Sequence, residues 1–597
     1  MDGKKFFIKG IGYEAGAIPG KLPWERTFDP DLLRFDMRRI TSAGFNTIRT
    51  WSAFTKQELD VLKEFNIKII MGIWIDPKGN FSDETFVENA KTEVSNVLSY
   101  SKNYDNIIAY LIMNEPLPET IVKAGYDNTV ALWKQLEDII HTQHPYRPVS
   151  IANTSTGTFI NPAVFDFDAY NVYPYNPVTV NYLFGYQNFI HYLTTLDISG
   201  HPLVITEYGL SVSPTGPGNW GYGGNSLSEQ RKGDLYMYKS LVDGGASGSC
   251  IFNYSDGWWK GGNQYQHDDK PEEWFGLVGY NNLSDKYGEE RPVWDAVKTF
   301  QSAIITQPQN GGLYLTKIPV EVFANDTIRQ IEIMMDSQQV YQHSVDNNYL
   351  RDTLHFNISD VKVSHLIFNC YDSIHRLVKT ETKTILVSKR ELELPKIEIN
   401  IENPNYWQDG FIKVHYHIVQ SPPFTPSSQL ETIFYPHVGF NYGEKYQWSL
   451  PQSGQSDFYF QYQLNPDVNV VTLGAAFDVD YQGFKKRIIG HLLLSRINTI
   501  STDVYSPNRR QTSIQIVPNP VKSSFKVTNS GIVSSPSFRY SIFTSSGVPV
   551  MKSLTSSWSQ PIHITELKPG IYYIRIYAGN ESLAPITKKI VKLGVQY

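Results

Sequence analysis

The stretch Ile107-Ile-Ala-Tyr-Leu-Ile-Met-Asn-Glu-Pro116 passes from seven apolar residues straight into an amide, a carboxylate and a proline. Seven residues are far short of the ~20 that a membrane helix needs. A short, unbroken apolar run with a polar stop suits a strand buried on both faces. Leu203-Val-Ile-Thr-Glu-Tyr208, followed by Gly209, closes in the same way on a carboxylate. Working outward, Phe6–Tyr13, Thr47–Trp51, Lys68–Ile75, Val149–Asn153, Ala169–Tyr173 and Gly248–Tyr254 complete a set of eight runs. Helical patterns lie between most of them. Asp31–Ala43 spaces Leu32, Leu33, Phe35, Met37 and Ile40 among charges, and Asn128–Thr142 spaces Leu132, Trp133, Leu136 and Ile139. Trp133, in mid-helix, is expected in the core. Eight strand–helix units within residues 1–305 predict a (β/α)8 TIM barrel. A doubly wound sheet is the alternative, but no Gly-x-Gly-x-x-Gly follows the first run.

Beyond residue 305 the helical spacing nearly vanishes. Val320–Phe323, Gln330–Met335, Leu354–Ile358, His365–Asn369 and Thr384–Val387 predict one all-β, immunoglobulin-like sandwich over 306–395. Ile397–Ile401, Phe411–Ile418, Phe458–Tyr462, Val468–Phe477 and Lys486–Leu494 predict a second over 396–500. A polar linker, Ser501–Ser513, precedes a last β-rich module over 514–597. The first sandwich is expected to be a spacer. The second has Tyr406, Trp407, Tyr442, Tyr446 and Trp448, which could line a carbohydrate platform.

Composition narrows the function. Across 597 residues the net charge is only −6, with charged residues at 19%, so no polyanion-binding surface and no nucleic-acid partner are expected. Aromatics reach 14%, which argues against disorder and suits sugar-binding platforms. The two cysteines, Cys250 and Cys370, cannot form a disulfide framework or a thiolate zinc site, and Cys250 is expected to be a buried strand thiol. No transmembrane segment is expected. The start, Met1–Lys5, leads into no apolar segment and is not expected to be a signal peptide, so the expectation is either a cytoplasmic protein or one whose leader is absent from this chain. His267-Asp268-Asp269 is expected to be a solvated loop, because three adjacent residues do not converge on one ion. No metal and no cofactor are expected.

In a barrel the active site gathers at the C-terminal strand ends. Glu115 and Glu207 both stand there, 92 positions apart. Two facing carboxylates are what glycosidic bond cleavage requires, one to protonate the leaving oxygen and one to attack or to activate water. Asn114-Glu115-Pro116 and Thr206-Glu207-Tyr208-Gly209 resemble the paired signature of clan A retaining glycoside hydrolases, over residues 5–300. The resemblance implies Glu115 as acid/base and Glu207 as nucleophile. It further implies Asn114 on the sugar 2-hydroxyl, Arg49 orienting the nucleophile, Tyr173 hydrogen-bonded to Glu207, and Tyr254 as a wall of the sugar site. Phe6–Tyr13, Gly44–Arg49 and Phe275–Val278 resemble the β-1,3-glucanosyltransferases, whose stabilising cysteines this chain lacks. The eighth-strand region is similar to the barrels of the β-galactosidase and β-glucuronidase family, which in that family follow sandwich domains. Aromatic subsite candidates are Trp51, Trp74, Tyr175, Trp220, Tyr222, Trp258, Trp259 and Trp274.

In the last module, Ile516-Val-Pro-Asn-Pro520, Tyr540–Gly547, Ile562–Tyr573 and Lys588–Lys592 carry coherent turn chemistry. They resemble the C-terminal sorting domain of the type IX secretion system. That resemblance implies export through the secretion machinery. The expectation is a secreted or cell-surface, monomeric, metal-independent retaining glycosidase on a β-linked polysaccharide or oligosaccharide, with β-glucan favoured. A β-1,3-glucan transglycosylase and an exo-acting β-galactosidase-like hydrolase remain open. A non-catalytic carbohydrate-binding surface protein is the alternative of another class.

Overall fold

The computed structural model describes residues 5–25, 28–175, 178–196, 200–345, 348–439, 444–448, 456–497, 514–517, 523–529, 537–544, 549–557, 560–577 and 586–592. Two compact units divide the chain, residues 1–501 and 502–597. The expected linker Ser501–Ser513 lies outside the described residues.

Eight parallel strands close into a barrel in sequence order: β1 (Ile8–Gly12), β2 (Thr47–Arg49), β3 (Lys68–Gly72), β4 (Ile107–Asn114), β5 (Val149–Thr154), β6 (Asp168–Asn171), β7 (Leu203–Tyr208) and β8 (Gly248–Ile251). The closing pair sets Gly10 beside Cys250. A Cβ on Gly10 would stand 2.5 Å from the Cys250 Sγ, so only glycine lets these strands close here. Ile70, Leu111, Ala152, Ala169, Val204 and Cys250 belong to one buried cluster. Cys250 is thus a core thiol, as its strand position predicts.

The outer helices start where the sequence marks them. α1 (Pro30–Ser42) opens with Asp29 accepting from the Leu32 amide and Pro30 in the first turn, and buries Leu32, Leu33, Met37 and Ile40. α2 (Lys56–Leu62) opens with a Thr55/Glu58 capping box. α3 (Glu84–Ser101), α4 (Pro118–Ala124), α5 (Tyr126–Gln143), α6 (Tyr186–Leu196), α7 (Leu227–Asp243) and α8 (Pro292–Phe300) follow. Trp133 of α5 is buried against Phe165. One unit departs from the regular pattern: β5 leads into two short 3-10 turns, Ser155–Gly157 and Pro162–Val164, and no α-helix. The second sandwich covers that stretch. Its Tyr435 hydroxyl donates to Ser155 O at 3.2 Å, and His437 Nδ1 lies 2.5 Å from Thr156 O. A carbonyl only accepts, so His437 Nδ1 donates and Nε2 accepts from Thr472 Oγ1 at 2.8 Å. Burial pushes His437 down to about 4, in keeping with this neutral ring.

The first sandwich packs a sheet of three strands against one of five. Its first strand, Ala303–Gln307, crosses the boundary expected at 305, because α8 stops at Phe300 and the chain turns directly into the sheet. Its strand Gln338–Ser344, missed in the sequence, is almost wholly exposed and has no apolar alternation to betray it. It meets the barrel through buried charges: Lys383 Nζ lies 2.7 Å from Asp243 of α7 and 2.6 Å from Glu381, which Lys379 also pairs at 2.7 Å. Burial would raise the Glu381 carboxyl, but the two lysines hold it down to about 2. The second sandwich pairs Lys396–Ile401, Phe411–Val419 and Asp457–Gln463 in one sheet, with Leu430–Pro436, Val470–Tyr481 and Phe484–Ser495 in the other. Trp407, one of the platform candidates, packs against this core under Arg496, whose guanidinium is 4.4 Å from its ring. Tyr442 and the side chains of Tyr446 and Trp448 lie outside the described residues.

The C-terminal unit holds two sheets, three and four strands. Phe525, Val527, Ile542, Ile562 and Ile574 form its own buried core. Among the described residues no helix is long and apolar enough to cross a membrane.

Candidate active site

The C-terminal ends of the barrel strands surround a cleft of about 490 Å³. Its walls hold Arg49's neighbour Trp51, together with Trp74, Asn114, Glu115, Tyr173, Tyr175, Glu207, Tyr222 and Trp259. Those residues come from the ends of β2, β3, β4, β6 and β7 and from the loops beyond, so distant sequence positions converge on one opening.

Glu207 ends β7 and is only 5% exposed. Its Oε1 accepts from Arg49 Nη1 and from Trp51 Nε1, each at 2.8 Å, and its Oε2 accepts from the Tyr173 hydroxyl at 2.8 Å. Every partner is a donor, the set that a carboxylate anion takes. Burial first, and then the Glu207 charge, pushes the Tyr173 phenol well above its ordinary range, so it keeps the proton it donates. Arg49 is buried at the end of β2 and reaches both motifs: its Nη2 donates to Asn114 Oδ1 at 2.6 Å. Asn114 Oδ1 is thereby taken, and what Asn114 offers the cleft is its Nδ2.

Glu115 has a different environment. It sits one residue past β4 with φ 53°, a left-handed conformation that costs a non-glycine residue on the order of 1–2 kcal/mol. Its amide donates to Ala152 O at 2.8 Å, which holds the turn. Its Oε1 accepts one bond, from Asn171 Nδ2 at 2.9 Å, and Thr206 Oγ1 donates to Asn171 Oδ1 at 2.8 Å to fix that amide. Burial, then the charge of Glu207, raises Glu115 to about 8, against the single Asn171 bond. The two carboxyls of this cleft thus stand in different surroundings: Glu207 among three donors, and Glu115 with one donor and its pKa raised.

The structure brings together Arg49, Trp51, Trp74, Asn114, Glu115, Tyr173 and Glu207, along with Tyr175, Tyr222 and Trp259. It does not bring Tyr254 or Trp258 to the cleft. Tyr254 is buried behind the barrel wall, where its hydroxyl donates to Asp36 of α1 at 2.7 Å beside Tyr13 at 2.8 Å. It stands three residues past β8, and the chain has already turned away from the opening. Trp258 stacks on His267 at 4.9 Å, and His267 on Trp274 at 3.5 Å, so all three pack as a layer under the loop. His267 is therefore not a solvated loop residue; burial lowers it to about 4. Trp220 packs on Tyr236 instead.

Five cleft residues escaped the sequence reading. Glu14, Asn171, Phe252, Lys260 and Glu272 line the opening or touch its carboxylates. Glu14 lies two residues past β1, the strand-end position that flags Glu115, and could have been found by the same rule. Burial raises its carboxyl, against Lys260, Arg49 and a hydrogen bond from Trp259. Lys260 lies 4.2 Å from the Phe252 ring centre and 3.9 Å from Glu272.

Residues 515–593 match the family model for the secretion system C-terminal sorting domain. Among solved structures, the chain is similar to Parabacteroides merdae β-glucuronidase, at 12% identity and TM-score 0.41 over 83% of this chain and 62% of that one. It is also similar to Bacteroides uniformis β-glucuronidase, at 14% identity and TM-score 0.41 over 98% and 65%. Faecalibacterium prausnitzii β-glucuronidase is a third, at 18% identity and TM-score 0.38 over 50% and 49%. The chain spans between about half and two thirds of the length of these structures. None of the curated proteins matches its sequence. The C-terminal unit is a sorting domain of the type IX secretion system, and the protein is accordingly a secreted or cell-surface protein.

Proposed function

We propose that this protein is a retaining glycoside hydrolase acting outside the cell on a β-linked glucan. The observation that carries the reading is the asymmetry of the carboxyl pair: Glu207 with three donors, Glu115 with one donor and raised to about 8. In the first step Glu207 attacks the anomeric carbon, and Glu115 gives its proton to the departing glycosidic oxygen. A covalent glycosyl-enzyme forms. In the second step Glu115, now a carboxylate, takes a proton from water, which attacks the anomeric carbon and frees Glu207. Arg49 and Tyr173 hold the nucleophile in place, and Asn114 Nδ2 is set to bind the 2-hydroxyl of the sugar. Trp51, Trp74, Tyr175, Tyr222 and Trp259 offer the flat apolar faces that pack on sugar C–H faces. Glu14 and Lys260 offer polar contacts for ring hydroxyls.

The test is turnover of a β-glucan panel with product analysis. Glu207→Gln should abolish hydrolysis with the fold intact, and the products of the parent should keep the anomeric configuration. Inverted products, or most of the activity surviving in the variant, would remove the double-displacement reading. A longer glucan among the products would favour transglycosylation, the second reading.

A further inference from the structure

On the outer face of the second sandwich, far along the sequence from every cleft residue, two histidines and an aspartate converge. The strand Phe411–Val419 buries Ile412, Val414, Tyr416 and Ile418 and turns the alternate side chains outward. His415 and His417 are therefore neighbours on one face. Register places His417 opposite Asp457 on one flanking strand and opposite Glu398 on the other. One row across three strands thus reads Glu398, His417, Asp457, with directly opposed side chains rooted about 5 Å apart.

The geometry points to a zinc-class divalent cation site formed by His415 Nε2, His417 Nδ1 and Asp457 Oδ1, with Glu398 or water in the fourth position. Both ring nitrogens lie 2.8 Å from the same Asp457 oxygen, and the three ligand atoms lie within 4.8 Å of one another. Tetrahedral zinc with ligands at about 2.0–2.1 Å separates them by roughly 3.3 Å, so small rotations of these partly exposed side chains would admit the ion. Two neighbouring side chains brace the ligands. Tyr459 lies parallel on the His415 ring at 4.6 Å and 6°, and Ser456 Oγ donates to Asp457 Oδ2 at 2.7 Å, leaving Oδ1 to the ion. Two imidazoles with a carboxylate select zinc, copper or nickel over calcium and magnesium, which prefer oxygen ligands. A bound ion ties strands some 40 residues apart in sequence, and stabilises the sheet by holding them together. The site is independent of the hydrolase reading.

The experiment uses the full chain without a histidine tag, freed of metal by chelation and dialysis. Zn²⁺ is titrated calorimetrically, with Ca²⁺ as comparator, into the parent, the double variant His415→Gln/His417→Gln, and Asp457→Asn. The parent should take up one equivalent of Zn²⁺ at least tenfold more tightly than either variant, with a Tm rise of about 2 °C or more that both variants lose. The outward positions leave the core untouched, and matching far-UV spectra verify folding. Equal Zn²⁺ uptake by the parent and the double variant overturns the proposal. So does Ca²⁺ binding as tight as Zn²⁺ binding, or loss of uptake in Asp457→Asn alone.

Discussion

Replacing Glu207 by Gln removes one negative charge beside Glu115 and leaves the other neighbours in place. Glu115 stands at about 8 because of burial, and then because of that charge; its Asn171 bond acts the other way. Burial and the Asn171 bond survive the substitution, so a fall in pKa reports the lost Glu207 charge together with the Arg49 guanidinium it no longer neutralises. At the separation of about 5–5.5 Å that retention requires, and an effective dielectric of about 20, two unit charges interact by about 3 kcal/mol, or a pKa change of about 2. Arg49, no longer neutralised by its partner, pulls the same way. Glu115 should therefore titrate about two pH units lower in Glu207→Gln than in the parent, read by 13C NMR of labelled glutamate carboxyls with Glu115→Gln as the assignment control. The same fall is expected when the glycosyl-enzyme forms, because esterification neutralises Glu207, and it converts the acid of the first step into the base of the second. A Glu115 whose pKa in the variant matches or exceeds that of the parent would refute the coupling and the paired roles built on it.

Glu115→Ala should abolish the fall in rate above about pH 8 with an activated aryl glycoside, and should cost roughly 10²–10⁴-fold with a poor leaving group; pH–rate profiles check both. The sign follows from the role: a group that acts protonated loses its function as pH rises through its pKa. Tyr173→Phe removes one donor to Glu207 and should lower kcat by roughly 10- to 100-fold, because a hydrogen bond to a charged group contributes about 1.5–3 kcal/mol; steady-state kinetics check it. Lys383→Met leaves Asp243, and part of the Glu381 charge, buried without a balancing cation and should destabilise the barrel–sandwich unit by about 3–5 kcal/mol, measured by denaturant unfolding. Deleting residues 502–597 should leave activity on a soluble substrate nearly unchanged, since the first unit has its own core, and should stop export; an inactive truncation would assign the last module a structural part.

The barrel was legible because its strands are buried on both faces. A doubly buried strand must be apolar throughout and must end where a polar group reaches the opening, so β4 and β7 display both their extent and their carboxylates in the linear sequence. The sorting module was legible through the resemblance of its four segments, Ile516–Pro520, Tyr540–Gly547, Ile562–Tyr573 and Lys588–Lys592, to a known sorting domain. What the sequence could not decide is which way a residue past a strand end faces. Trp51 and Tyr254 both stand just beyond β2 and β8, yet Trp51 turns inward to Glu207 and Tyr254 backward to Asp36. That choice depends on packing against α1 and against the β8 loop, contacts between segments more than 200 positions apart. The same holds for Lys260, whose environment is set by Phe252 and Glu272, and for His415 and His417, whose partner lies on another strand. Local pattern determines which backbone segments form and where they stop; the direction and charge state of a side chain depend on neighbours that only the closed fold supplies.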